Sequence, residues 1–175
     1  MELIGYFPRE TGIPADWPGG SPNVTEVCSV SNCPNPAPED WVEHWRHNEL
    51  GFYNTPSDAW SIVPAQATGF RLFAYRLLPI RYLHERAEPF EIAESVVEPL
   101  TDGFVSLGFD VVNKTLTPFF ECSPLSCNGM ADEVPVNRFC LLPTLDKAIS
   151  FAQRCAREEP EPGPFYVVEV LRDTT

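Results

Sequence analysis

Thr144-Leu-Asp-Lys-Ala-Ile-Ser-Phe-Ala-Gln-Arg-Cys-Ala-Arg157, then a turn of Glu, Pro and Gly, then Phe165-Tyr-Val-Val-Glu-Val-Leu171: this stretch decides the fold. Leu145, Ala148, Ile149, Ala152, Cys155 and Ala156 recur at helical spacing, and Thr144 stands where an N-cap belongs. The seven residues after the turn are apolar on both alternating faces, as in a strand covered on both sides. A helix returning into a buried strand predicts a sheet with a helix packed on it, and it suggests one parallel pair.

Working outward, Phe70 to Tyr82 predicts a central strand broken or edged at Pro79. Leu3 to Phe7, Phe109 to Val112, Phe119 to Glu121 and Arg138 to Leu142 predict shorter strands. Thr55 before Pro56 predicts a short capped helix ending near Trp60. Pro38 to Leu50 predicts another, with Glu39 and Asp40 at its positive end, Trp41 and Trp45 on its buried stripe and Gly51 as its stop. Leu100 to Leu107 reads as a helix stopped by Gly108. The stretch 8–38 carries seven prolines and three glycines, so it predicts a long irregular loop. A loop of that length needs something to pin it. The expectation is one α+β domain over 1–175. Its sheet is mixed and mostly antiparallel, of four to six strands, with two or three helices packed on it. The chain carries no internal repeat.

With 175 residues, a domain of this kind buries enough surface to need no staple. Its 25 acidic against 12 basic residues give a net charge of −13, which opposes binding to nucleic acid and to anionic membranes. Met1-Glu2-Leu3-Ile4 shows neither a basic segment nor a long apolar one, so no secretory signal is expected. A cytoplasmic setting follows, in which six cysteines are reduced by default.

Two cysteine boxes share one step: Cys28-Ser-Val-Ser-Asn-Cys33 and Cys122-Ser-Pro-Leu-Ser-Cys127. His44 and His47 follow the first. Zinc takes about four nitrogen or sulfur ligands in a tetrahedron. Cys28, Cys33, His44 and His47 offer one such set, with Cys122 and Cys127 as alternative ligands that would make a four-thiolate site. Zinc is therefore the cofactor these residue types suit, and disulfides or unpaired structural thiols are the alternatives. A cysteine nucleophile needs a histidine to take its proton, which makes Cys122, Cys127, His44 and His47 the candidates for catalysis. No nucleophile elbow, phosphate loop or metalloprotease helix is present.

Arg71, Arg76 and Arg81 recur along the Phe70 strand, and Arg86 follows at the same step. Two guanidiniums on one face could hold a carboxylate or phosphate; the alternative is that they pair with nearby glutamates. Glu88, Glu91, Glu94 and Glu98 form an acidic run, either a solvated face or a surface for a basic protein. The leading expectation is a non-catalytic, acidic cytosolic protein that binds another protein, as inhibitor or immunity-type proteins do, with zinc as a stabiliser. The alternative is a small enzyme or ligand-binding domain using the Cys122–Cys127 loop with a histidine, or the arginine strand as an anion site.

Overall fold

The computed structural model of the chain describes residues 1–17, 19, 21–33, 47–92, 96–115 and 120–174. Five strands form one sheet: β1 (Glu2–Glu10), β2 (Phe70–Leu83), β3 (Arg86–Pro89), β4 (Phe104–Asn113) and β5 (Phe165–Asp173). Three α-helices accompany them: α1 (Pro56–Trp60), α2 (Pro124–Cys127) and α3 (Leu145–Glu158). The order across the sheet is β1-β2-β5-β4, with β3 paired to β2. β1 takes the first part of one edge of β2 and β3 takes the last, joined to it through a tight turn at His84-Glu85.

The C-terminal unit forms as its pattern requires. Thr144 accepts a hydrogen bond from the amide of Lys147, and α3 buries Ala148, Phe151, Ala152, Cys155 and Ala156 against the sheet. β5 is covered on both faces by alternation: Phe165 and Val167 join the α3 cluster, while Val168 and Val170 join an aromatic cluster with Tyr6, Phe7, Phe52, Phe73 and Tyr75. Thr55 caps α1 through the amide of Asp58, with Pro56 in the first turn.

Several expectations are overturned. Every described ladder is antiparallel, so the suggested parallel pair is absent. The geometry explains it. Leu142, just before α3, bridges Phe109 in the middle of β4, and α3 then delivers the chain to the far end, where Phe165 faces Asn113. A strand that begins opposite the end of β4 must run back along it. No helix forms over 100–107: residues 102–103 are a turn and 104–107 begin β4, in which Gly108 is a bulge in the β4–β5 ladder and not a helix stop. Arg138 to Leu142 is a turn with that one bridge; of the strand expected over 119–121, Phe119 lies outside the described residues, and Phe120 and Glu121 are in no strand.

Pro8 does not begin a loop: β1 runs through it to Glu10, which an outer strand tolerates. β2 likewise runs through Pro79, where its register with β5 shifts between Leu77 and Arg81. The remaining described residues up to 33 carry neither helix nor strand, and 34–38 lie outside the described residues. Most of the helix expected over 38–50, including Trp41 and Trp45, also lies outside them. Its end does not form: His47 bridges Tyr53, and Asn48 closes a turn with Gly51.

Both outer strands are handled alike. Gly5 in β1 and Gly108 in β4 each have φ +136° at a register shift, and each lies against a crossing strap of chain. A Cβ on Gly108 would stand 2.8 Å from the carbonyl oxygen of Leu142, and one on Gly5 2.6 Å from that of Tyr53. Gly108→Ala therefore meets both backbone strain and a clash with main chain, and a loss of about 2–3 kcal/mol is expected. Thermal melting should show Tm lower by roughly 5–10 °C. An unchanged Tm would mean that the bulge is not held as described.

Candidate metal centre

The site grows from a buried polar network. Seven polar or charged residues are buried among the described residues: Arg9, Ser29, Ser31, Asp110, Asn113, Ser123 and Ser126. All seven hold or border one cluster of cysteines. Buried polar groups are costly unless hydrogen-bonded, so such a concentration marks a built site.

Asp110, in the middle of β4, accepts four hydrogen bonds. Ser29 Oγ donates to Oδ2 at 2.7 Å and the Val30 amide at 2.9 Å; Ser123 Oγ donates to Oδ1 at 2.6 Å and the Val111 amide at 2.9 Å. Burial pushes this carboxyl above the usual carboxylate range, and the Ser123, Ser29, Val30 and Val111 donors pull it back down. From β1, Arg9 donates to the Val30 carbonyl at 2.6 Å, the Ser31 carbonyl at 3.2 Å and the Tyr75 hydroxyl at 2.9 Å. The peptide groups on either side of Val30 are thus held by an acid on the amide side and a guanidinium on the carbonyl side.

This clamp sets Ser31, whose hydroxyl donates to the Glu121 carbonyl at 2.6 Å, accepts from the Cys33 amide at 3.1 Å and lies 3.5 Å from Cys127 Sγ. The second box is fixed from β4. Asn113 Oδ1 accepts from the Cys122 amide at 2.7 Å, and the Asn113 amide donates back to the Cys122 carbonyl at 2.9 Å. Ser123 then turns the chain into α2, which ends on Cys127. The Ser123 amide donates to Cys127 Sγ at 3.4 Å.

As a result Cys33, Cys122 and Cys127 converge, their sulfur atoms all within 4.8 Å of one another. Cys33 and Cys122 are in contact at 3.4 Å. Zinc–sulfur bonds of about 2.3 Å in a tetrahedron require sulfurs roughly 3.8 Å apart, so this spacing fits a metal with little movement. The donor set is soft and sulfur-only, which suits zinc or monovalent copper over magnesium or calcium. Cys33 is exposed and the other two are half-buried, so the cluster opens to solvent on the Cys33 side.

The other expected ligands are elsewhere. Cys28 is buried in the core, its thiol pushed up by burial and by Glu26. His44 lies outside the described residues. His47 lines a cavity of about 580 Å³ with Leu50, Leu77, Phe90, Phe120 and Tyr166. His84 pairs with Glu159 at 2.7 Å. The first box thus contributes its last cysteine only, and the second contributes both.

The catalytic candidates are not assembled among the described residues. No described histidine joins the cluster. The Cys122 thiol is pushed up by burial and by its hydrogen bond with Cys33, and burial raises Cys127 too. Arg76 pairs with Glu169 at 3.4 Å and Arg81 with Glu88 at 3.0 Å, while Arg71 is exposed and donates to its neighbour's carbonyl. Glu91 is exposed, Glu98 enters the core only through its main chain, and Glu94 lies outside the described residues.

Sequence reasoning missed Asp110, Arg9 and Asn113. The serines inside both boxes were the available signal for the network, since serine serves where a loop needs local hydrogen bonds. Comparison with protein-family models, curated proteins and solved structures finds no match. None of the described helices is long and apolar enough to cross a membrane.

Asp110→Asn keeps the size of the side chain but turns one acceptor oxygen into a donor that faces amide and hydroxyl donors. A loss of about 3 kcal/mol is expected in urea denaturation. A change under about 0.5 kcal/mol would show that the network does not hold the two cysteine segments.

Proposed function

We propose that this protein is a zinc–thiolate protein in which Cys33, Cys122 and Cys127 hold one zinc ion. The observation that carries the reading is the convergence of three sulfurs within 4.8 Å from two segments far apart in sequence. Unpaired structural thiols have no need to meet in threes; Cys28, Cys140 and Cys155 are buried and join no such group among the described residues. A metal bound here would join the segment after Ser29 to the corner between β4 and α2.

Second-sphere support favours the same reading. Sulfur ligands are stabilised by hydrogen-bond donors, and Cys127 receives the Ser123 amide with the Ser31 hydroxyl beside it. The exposed side at Cys33 leaves room for a fourth ligand from solvent or from a partner. The ligation chemistry is metal holding, with a position at which the ion can exchange. For an acidic docking surface the described residues offer less, since Glu88 is engaged by Arg81.

Reduced protein, purified without chelator, should carry one zinc per chain by native mass spectrometry and by metal analysis. Cys122→Ser should lower zinc affinity by roughly a hundredfold, and chelation of the wild type should lower its Tm. Reduced, folded protein that retains no zinc at micromolar free metal would overturn the reading.

A further inference from the structure

We infer that Cys33 and Cys122 form a redox pair, which hydrogen peroxide or a similar peroxide converts to a disulfide, and that this conversion discharges the metal. The inference deepens the zinc reading and rests on it for the metal-release step. Three observations carry it. The two sulfurs are already in contact at 3.4 Å, while a disulfide needs about 2.05 Å, so closure is a movement of little more than an ångström. Cys33 is the exposed member of the cluster, so a small oxidant reaches it first. Cys127 is set apart from the pair by its own partners, since the Ser123 amide and the Ser31 hydroxyl hold its sulfur in place.

The chemistry balances in two steps. The sulfur of Cys33 attacks one oxygen of the peroxide: an S–O bond forms, the O–O bond breaks, and the departing hydroxide takes a proton to become water. The sulfur of Cys122 then attacks the sulfur of Cys33: an S–S bond forms, the S–O bond breaks, and the second hydroxide leaves as water with a proton taken from solvent. From the zinc-bound form, two thiolates, one peroxide and two protons from solvent give one disulfide, two waters and the freed zinc ion, with two electrons passing from sulfur to oxygen. The product has lost two of three thiolate ligands, and one thiolate does not retain zinc. The new bond spans the two segments that the metal joined, so one staple replaces another.

Zinc-loaded protein is treated with a few equivalents of hydrogen peroxide. Released zinc is followed with a chromogenic chelator, and cross-links are mapped by non-reducing peptide mass spectrometry. The expected result is a Cys33–Cys122 cross-link, stoichiometric zinc release, and recovery of both thiols and metal after dithiothreitol and added zinc. Cys127→Ser should still form the cross-link. Cys33→Ser, at an exposed position, should fold normally and lose thiols to peroxide roughly tenfold more slowly. Zinc release with a Cys122–Cys127 link, or with sulfinic acids and no cross-link, would overturn the redox pair and leave the zinc reading intact. A Cys33–Cys122 cross-link in protein that, when reduced, takes up no zinc would support the pair and overturn the zinc reading.

Discussion

The structure depends on how one peptide segment, Ser29 to Ser31, is held between opposite charges. Asp110 takes its donors and Arg9 takes its acceptors. Both charged groups come from strands, β4 and β1, that never touch each other in the sheet. The segment therefore joins the two outer strands across one face, over Tyr75 and the aromatic cluster. Removing two charges from water is expensive, and the cost is offset only when every lone pair and proton finds a partner. Here the partners are main-chain groups and serines, which cannot drift as long side chains do. That rigidity is what lets three thiols sit in fixed positions at the segment's end.

The strap that carries this segment is fixed along its length. The amides of Thr25 and Glu26 donate to the Arg138 carbonyl, the Cys28 amide donates to that of Phe139, and Glu26 pairs with Arg172 at 2.7 Å. Pinning of the N-terminal chain up to Cys28 thus comes from hydrogen bonds. A metal at Cys33 would secure only the last few residues. The two glycine bulges complete the arrangement, since each lets an outer strand accept a strap of chain, and covered edges do not recruit other strands.

Much of this was legible in the sequence wherever one local signal stood without a competitor. α3 and β5 follow from a cap, a helical period and an apolar run, and α1 from Thr55 before Pro56. The failures occur where one residue type serves two purposes. Gly108 reads as a helix stop and acts as a bulge; Pro8 reads as a loop start and sits in an outer strand. The cysteine boxes announced that sulfur mattered, but box spacing says nothing about which sulfur turns inward. Cys28 shares its box with Cys33, yet its side chain goes to the core, and the chain bends at Val30 and Ser31, where the clamp holds it, before Cys33. Asp110 was hidden for the opposite reason. Between Phe109 and Val111 it looks like an ordinary polar interruption in an apolar strand, and only tertiary contact reveals four donors converging on it.

The position of β5 has a consequence for how the molecule comes into being. It is the last of the five described strands in the sequence, yet it lies between β2 and β4, and those two have no ladder with each other. During synthesis β1, β2 and β3 can form one antiparallel piece, but β4 has no strand ladder among the described residues until residues 165–173 have left the ribosome. Arg9 and Asp110 sit on opposite sides of that gap. The sheet that carries the thiol cluster is therefore completed only after translation has passed residue 173, and a chain interrupted between residues 155 and 165 carries all six thiols without the strand that joins β2 to β4.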